Sequence, residues 1–339
     1  MAKESLAVKH RPKTFDDMTE QSVVKDILEN QVRTKTVQSA YLFTGPSGTG
    51  KTTSARIFAN MINDGKGNPI EVDAASNSGV DNIRQIIEDA KRKPLDAEYK
   101  IFIVDECHSL SNGAWQALLK TLEEPPKFTI FIFCTTNPEK IPPTILSRVQ
   151  RYNFQKISNE GIVNRLISII KKENDVSNIH YDIDAMEYIA KVSSGGMRDA
   201  ITLLDKCLSL SHEVTLENVL KTIGSEDYST FILFLTALQN KEKETAITTI
   251  ENVYNAGKDV KQFLKDFAKF VLEVEKYALY KNFDYISLPN TLENELEQLI
   301  EDSLFNVMDF VVSLNNQIKW DNDPKTLIEL SILIYCVKE

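Results

Sequence analysis

One eight-residue segment, at the junction of a short apolar run and a helical stretch, constrains this chain more than any other feature. The segment GPSGTGKT (45–52) directly follows AYLFT (40–44) and leads into TTSARIFANMI (52–62). It matches the pattern G-x-x-x-x-G-K-[ST] in the strand–loop–helix context that the pattern requires. Glycines let backbone amides curl around phosphate oxygens, and the helix N-terminus adds a partial positive charge. The sequence therefore predicts a nucleotide phosphate-binding loop in an α/β domain.

The residues of this loop have separate predicted roles. Lys51 is expected to reach the β- and γ-phosphates, and Thr52 is expected to offer its hydroxyl to magnesium. ATP or GTP is the expected ligand, with Mg²⁺ as the expected metal. The predicted nucleotide-binding residues of the loop and its first helical turn are Gly45, Pro46, Ser47, Gly48, Thr49, Gly50, Lys51, Thr52 and Thr53.

A second candidate element is the pair of acids that ends the apolar run KIFIVD (100–105). Asp105 at the strand end would hold magnesium, and Glu106 would orient and deprotonate an attacking water. Two acids after a strand often form only a solvated turn, but downstream of a phosphate-binding loop they favour ATP hydrolysis over nucleotide binding alone. Cys107 and His108 follow directly, and no thiol dyad is predicted because adjacent residues rarely face each other on such a turn.

The order of apolar runs predicts the fold class. Five β-rich runs alternate with helical stretches in the first half, and they are almost continuously apolar, as parallel strands buried on both faces are. Beyond residue 154 the apolar period becomes helical, and Pro and Gly become rare. We therefore expect an α/β domain with a mostly parallel five-stranded sheet, followed by all-α regions. The predicted strands are residues 40–44, 69–73, 100–105, 129–135 and 150–154.

Composition excludes several classes of protein. Hydrophobic residues make up 42% and charged residues 26% of the 339-residue chain, which is ordinary globular composition. The net charge of −10 argues against a protein that coats nucleic acid nonspecifically. The four cysteines form no C-x-x-C pair, so neither a disulfide scaffold nor a zinc ribbon is expected. With no signal-like or membrane-length apolar run, we expect a cytoplasmic protein without a membrane partner.

Several longer segments resemble AAA+ ATPases, and more narrowly the gamma/tau clamp-loader motors of bacterial DNA polymerase III. The resemblance is continuous from about residue 8 to 225 and is weaker beyond, although DPKTLIEL (323–330) is similar to the family's last collar helix. Besides the phosphate-binding loop, it is carried by HRPKTFDDM (10–18), EVDAASNSGVDNIR (71–84), FIVDECHSLS (102–111), ALLKTLEEPP (117–126), TTNPEKIPPTILSR (135–148) and SSGGMRDAITLLDK (193–206).

The resemblance implies roles that spacing alone does not. Thr136, with the adjacent Asn137 as second choice, corresponds to the family's first sensor, which contacts the γ-phosphate or the attacking water. Arg148 matches an arginine finger that acts on ATP in the neighbouring subunit, although Val149 replaces the cysteine of the family's Ser-Arg-Cys motif. Arg198 corresponds to the second sensor, which ties the lid to the same nucleotide. Arg11 and Pro12 resemble the segment that lines the adenine pocket.

The resemblance also implies an organisation and partners. It implies an ATPase domain at 1–155, a helical lid at 156–225 and a helical collar for oligomerisation at 226–339. The expected activity is ATP-driven opening and loading of a sliding clamp onto primed-template DNA. The expected partners are that clamp, primed DNA and other clamp-loader subunits, including further copies of this chain in a ring-like, pentameric assembly.

Two departures from the family change the expectations. Its four-cysteine zinc module would fall between the phosphate-loop helix and the run that begins EVDAAS, but this interval is only NDGKGN (63–68). No zinc is therefore expected. No tau-like extension follows the presumed collar, so a gamma-length motor is expected.

Two other functions remain as alternatives. A different AAA+ class, such as a branch-migration helicase or an initiator, would carry a basic DNA-binding domain near its C-terminus. Here residues 156–339 hold 19 basic and 30 acidic residues, against 20 and 19 in residues 1–155. A non-hydrolysing subunit resembling delta-prime would have a damaged phosphate-binding loop. The intact Lys51, Thr52, Asp105 and Glu106 favour the active motor.

Overall fold

The computed structural model describes residues 4–174, 178–223, 227–300 and 304–337. The chain divides into two compact units, Met1–Thr215 and Leu216–Glu339. Among the helices of these described residues, none combines the length and the apolar character needed to cross a membrane.

A five-stranded sheet forms the centre of the first unit, in the order β2-β3-β4-β1-β5 with every neighbouring pair parallel. The predicted strands agree with it to within one residue at each end. Because β4 lies between β3 and β1, the carboxyl ends of these three strands meet at one edge, where open parallel sheets bind ligands. The strands are β1 (Ala40–Thr44), β2 (Ile70–Asp73), β3 (Lys100–Asp105), β4 (Thr129–Thr135) and β5 (Gln150–Asn153).

Helices cover both faces of this sheet. On one face Tyr41 and Phe43 of β1 pack with Phe58, and on the other face Leu42 packs in a cluster with Trp115. Burial on both sides explains why β1, β3 and β4 are apolar without alternation, whereas the edge strands β2 and β5 are largely exposed and carry polar residues. The α-helices up to the start of β5 are α1 (Leu6–Lys9), α2 (Ser22–Thr34), α3 (Lys51–Ile62), α4 (Val80–Ala90), α5 (Asn112–Glu123) and α6 (Pro143–Leu146).

The first unit continues into three helices, α7 (Asn159–Glu173), α8 (Ile183–Val192) and α9 (Met197–Leu210). A pair of two-residue parallel strands, β6 (His180–Tyr181) and β7 (Glu213–Val214), joins the ends of this region. The apolar pattern does not predict this pair, since two residues are too few to show a period.

The second unit is helical throughout its described residues. Its longest helix, α13 (Val260–Tyr280), is capped by Asp259, whose side chain accepts hydrogen bonds from the amides of Lys261 and Gln262. The apolar face of α13 packs into a single core with the neighbouring helices. The helices are α10 (Leu216–Ile223), α11 (Asp227–Gln239), α12 (Lys243–Asn255), α13 (Val260–Tyr280), α14 (Glu293–Leu299), α15 (Phe305–Gln317) and α16 (Pro324–Val337).

Candidate active site

The phosphate-binding loop connects β1 to α3, and two of its glycines are required by geometry. Gly45 has a φ of 143°, and a Cβ placed on it would lie 2.3 Å from the carbonyl oxygen of Phe154. Gly48 has a φ of 72°, and its added Cβ would lie 3.0 Å from Cα of Gly196. The loop is therefore closely enclosed by backbone on two sides, and side chains larger than hydrogen do not fit at these positions.

Lys51 begins α3 and lies inside this loop with only 6% of its surface exposed. Its Nζ donates to the carbonyl oxygens of Gly45 at 2.9 Å and Pro46 at 2.7 Å. Burial lowers the pKa of the Lys51 ammonium, while Asp105 and Glu106 act in the opposite direction. The loop thus holds a fixed cation beside the backbone amides that follow β1.

Thr52 and Asp105, the two predicted magnesium ligands, are brought together from α3 and β3. The Thr52 hydroxyl donates to Asp105 Oδ2 at 2.8 Å, and Asp105 Oδ1 accepts the Glu106 amide at 3.0 Å. In the described part of the chain, no cluster of three or more His, Cys, Asp and Glu side chains could hold a metal ion. Magnesium commonly takes only one or two protein ligands and completes its shell with phosphate oxygens and water, so this pair fits it.

Glu106 follows β3 in a left-handed conformation, with a φ of 46°. Such a conformation is unusual for a residue with a side chain and is often found at functional sites. The hydroxyl of Thr136, directly after β4, lies 3.3 Å from Glu106 Oε2. The candidate base and the candidate sensor are therefore neighbours, as the adjacent ends of β3 and β4 dictate.

No hydrogen bond or ion pair joins the described side chains of Cys107 and His108. Burial raises the pKa of the Cys107 thiol far above its ordinary value, so this cysteine is a neutral core residue. The ring of His108 instead contacts Thr135, with 3.1 Å between Nδ1 and Oγ1.

Helix α9 contacts the loop directly. The amide of Met197, the first residue of α9, donates to the Gly48 carbonyl at 3.0 Å. Arg198 follows on the same helix end and lines the cleft beside the loop, as Arg11 and Pro12 do from the N-terminal segment. Three parts of the first unit that are distant in sequence therefore converge on one site.

This cleft has a volume of about 520 Å³. Its mouth combines the phosphate-binding loop and the acidic pair with apolar side chains such as Val8, Ile157 and Ile201. The predicted site residues that line it are Arg11, Pro12, Ser47, Gly48, Thr49, Gly50, Lys51, Thr52, Thr53, Asp105, Glu106 and Arg198.

Arg148 lies away from this cleft, just after α6. Its guanidinium donates to the Thr144 carbonyl and to Glu123 Oε1, both at 2.5 Å, and to Ser147 Oγ at 3.1 Å. About a third of the side chain is exposed, at 32%. Within its own chain Arg148 is therefore not part of the nucleotide cleft.

The sequence interpretation did not single out two further arginines that line the cleft, Arg56 of α3 and Arg165 of α7. Arg165 donates to the His10 carbonyl at 2.8 Å, and burial lowers its pKa. A signal existed, since Arg165 lies between Ile162 and Leu166 on the buried side of an amphipathic helix, where a cation needs a partner. Arg56 pairs with Glu71 of β2, which no spacing rule predicts.

Two protein families match consecutive parts of the chain. The family described as DNA polymerase III, delta subunit, matches residues 68–158. The family described as DNA polymerase III clamp loader subunit, ATPase lid domain, matches residues 161–213.

Individual relatives match over more of the chain. DNA polymerase III subunit tau of Bacillus subtilis is 34% identical over 99% of this chain, which spans 64% of that relative, less than two thirds of its length. DNA polymerase III subunit gamma of Buchnera aphidicola subsp. Baizongia pistaciae is 31% identical over 89% of this chain and 87% of its own length.

Solved structures share the fold at lower identity. The Holliday junction branch migration motor RuvB of Thermotoga maritima superposes with a TM-score of 0.52 at 20% identity, covering 74% of this chain and 86% of that one. At this identity the likeness concerns the fold alone.

Proposed function

The chain belongs to the gamma and tau subunit family of bacterial DNA polymerase III, and from that membership we propose that it is an ATP-driven motor of a sliding-clamp loader. Its fold is that of an AAA+ ATPase with a helical lid, as the sequence predicts. In the proposed function, ATP binding and hydrolysis open a ring-shaped clamp and load it onto primed DNA.

The observation that carries the proposal is the convergence of a phosphate-binding cation, a magnesium pair and a base on one sheet edge. Lys51 is buried within the loop, Thr52 is bonded to Asp105, and Glu106 follows Asp105 immediately. Since hydrolysis needs all of these parts, their intact geometry supports an active ATPase over a subunit that only binds nucleotide.

The residues act by positioning and charge. Lys51 and the loop amides bind the β- and γ-phosphates, and Arg198 adds a forked cation from the lid. Bound Mg²⁺, held by Thr52 and Asp105, would neutralise charge that develops on the phosphate oxygens. Glu106 accepts a proton from the attacking water, and Thr136 orients the groups beside it. Arg11 and Pro12 line the region proposed for the base.

Assembly with other subunits is part of the proposal. In this view residues 1–155, 156–225 and 226–339 are ATPase, lid and collar, and Arg148 completes the site of a neighbouring chain. Four side chains at positions i, i+3, i+4 and i+7 of α16 lie on one face of the helix, and they support an interface in the collar because they are apolar and exposed. They are Leu330 (54% exposed), Leu333 (38%), Ile334 (58%) and Val337 (75%). The proposed partners are further copies of this chain, other loader subunits, a sliding clamp and primed-template DNA.

Two substitutions test the ATPase. Lys51→Ala should reduce ATP affinity by at least about 100-fold, because the phosphates lose their fixed counter-cation. Glu106→Gln should keep the affinity and lose hydrolysis, since only water activation is removed. Equilibrium binding of a fluorescent ATP analogue and phosphate release measure the two effects.

Lys66→Ala is the matched control, because Lys66 is exposed and lies outside the cleft. Equal ATP affinity in the wild type and Lys51→Ala would contradict the site. Clamp and primed DNA that leave wild-type hydrolysis unchanged would contradict the clamp-loader role and leave the ATPase intact.

A further inference from the structure

A histidine two residues after the candidate base turns back onto it. Glu106 has a left-handed backbone, and Cys107–Ser109 form a single 3-10 turn. This geometry brings Nδ1 of His108 within 3.3 Å of Glu106 Oε2. We propose that His108 is a positioning residue that fixes the Glu106 carboxylate for water activation, an inference that rests on the ATP hydrolysis proposed above.

The surroundings of His108 determine which ring nitrogen carries hydrogen. Nδ1 lies between Glu106 Oε2 and the hydroxyl oxygen of Thr135, which is 3.1 Å away. An ionised carboxylate only accepts hydrogen bonds, so a hydrogen on Nδ1 is favoured. Thr135 is fully buried and its hydroxyl also accepts the Asn137 amide at 3.0 Å. The ring is therefore held against β4 through Thr135, with Nδ1 at 3.3 Å from the carboxylate oxygen.

Thr136 alone cannot fix the carboxylate. Its hydroxyl has one hydrogen, and that hydrogen has two acceptors, Asn137 Oδ1 at 2.9 Å and Glu106 Oε2 at 3.3 Å. The nearer acceptor is Asn137 Oδ1, so the single hydroxyl hydrogen of Thr136 is at best shared between Asn137 and Glu106. The hydrogen on Nδ1 of His108 is shared in the same way, between Thr135 Oγ1 at 3.1 Å and this same carboxylate oxygen at 3.3 Å, so the two groups together hold Oε2.

Both donors approach Oε2 of Glu106. Among the described residues, no hydrogen bond reaches Oε1, which is therefore available to accept a proton. A general base must lie within hydrogen-bonding reach of the group that loses the proton, about 2.6–3.2 Å between heavy atoms or through one water. Because the carboxylate is planar, holding Oε2 also restricts the position of Oε1. His108 would therefore raise the fraction of time that Oε1 is in position to accept a proton from the attacking water.

His108 does not line the nucleotide cleft, whereas Glu106 does. A contribution of His108 would therefore reach the reaction through Glu106 and not through contact with ATP. This predicts a loss confined to the hydrolysis step, with nucleotide affinity unchanged.

The experiment compares three substitutions in the full chain. His108→Asn places an amide N–H near the position of Nδ1, and His108→Gln places it near Nε2. His108→Ala removes both donors. Single-turnover ATP hydrolysis and equilibrium binding of ATP are measured for each, and thermal unfolding is followed in parallel. His180→Asn, at an exposed histidine of β6, is the matched control.

We expect His108→Ala to lower the hydrolysis rate by about 10- to 100-fold, as loss of supporting hydrogen bonds does at other sites, with ATP affinity unchanged. His108→Asn should recover most of the rate, and His108→Gln should not. If His108→Ala fails to fold, the hydrolysis rates of His108→Asn and His108→Gln still test the inference, because both variants keep a polar side chain of similar size.

Equal rates for the Asn and Gln variants, or a wild-type rate in a folded Ala variant, would overturn the inference while the ATPase stands. A wild-type chain that binds ATP and does not hydrolyse it, in a confirmed assembly, would overturn the proposed hydrolysis and this inference together.

Discussion

Gly45 shows how strongly the site constrains single residues. It begins the phosphate-binding loop at the end of β1, and Phe154 follows β5, the strand hydrogen-bonded to β1. The Phe154 amide donates to the Thr44 carbonyl at 2.7 Å. This hydrogen bond holds the segment after β5 close to the end of β1. The close approach leaves no space for a Cβ at Gly45, and the positive φ disfavours one independently.

We predict that Gly45→Ala destabilises the first unit by at least about 2 kcal/mol, since both strain and a backbone clash must be relieved. Gly79→Ala is the control. Gly79 has a φ of −74° as the N-cap of α4, and an added Cβ there would meet nothing within 4 Å. It should cost no more than about 1 kcal/mol. Urea denaturation measures the free energy of unfolding of both variants. Equal denaturation midpoints for Gly45→Ala and Gly79→Ala would show that the loop can relax around the new methyl group.

The same scale shows what sequence alone can predict about the site. Lys51, Thr52, Asp105 and Glu106 follow from a motif because their roles depend on local chain geometry at strand ends. The contact of His108 with Glu106 depends on a left-handed turn that no motif specifies. Residues such as Arg165 reach the cleft only through packing of the lid, which a linear pattern does not describe.

At the scale of elements, the sheet is predictable and the joints are not. The three central strands β1, β3 and β4 are continuous apolar runs because both of their faces are buried, so their bounds are visible in the sequence. The connection from β5 to α7 is held by polar bonds instead. Gln21 donates to the Gln155 carbonyl at 2.7 Å and accepts its amide at 3.1 Å, while Glu20 accepts the Ser158 amide at 3.2 Å. Exposed polar residues of this kind carry no periodic signal.

Gln21→Asn tests this joint. Gln21 has a φ of 58°, which asparagine tolerates well. The shorter side chain cannot make both bonds to Gln155, so we predict about tenfold faster hydrogen exchange at the Gln155 amide. Gln38→Asn, at another exposed glutamine, should leave this exchange unchanged. Unaltered exchange in Gln21→Asn would mean that packing alone holds the connection.

At the scale of the whole molecule, the chain holds a candidate nucleotide cleft, and Arg148 lies outside it. Lys51, Arg11 and Arg198 line the cleft, while Arg148 is bonded to Glu123 and Thr144 elsewhere. A guanidinium that stabilises phosphoryl transfer must reach the phosphate directly. If Arg148 acts in hydrolysis, it therefore acts on the ATP of another copy.

We predict that Arg148→Ala leaves ATP affinity nearly unchanged and lowers stimulated hydrolysis by about 10³-fold, the lower end of the effect of arginine fingers elsewhere. Arg151→Ala removes a nearby exposed cation of β5 and serves as the control.

Mixing two variants separates action across an interface from action within a chain. An Arg148→Ala chain combined with a Glu106→Gln chain forms some interfaces in which an intact Arg148 faces an intact Glu106, so activity should return in part. Mixed assemblies as inactive as either variant, with assembly verified by sedimentation, would reject action across the interface, and with it the mutual sensing of ATP on which a ring motor depends.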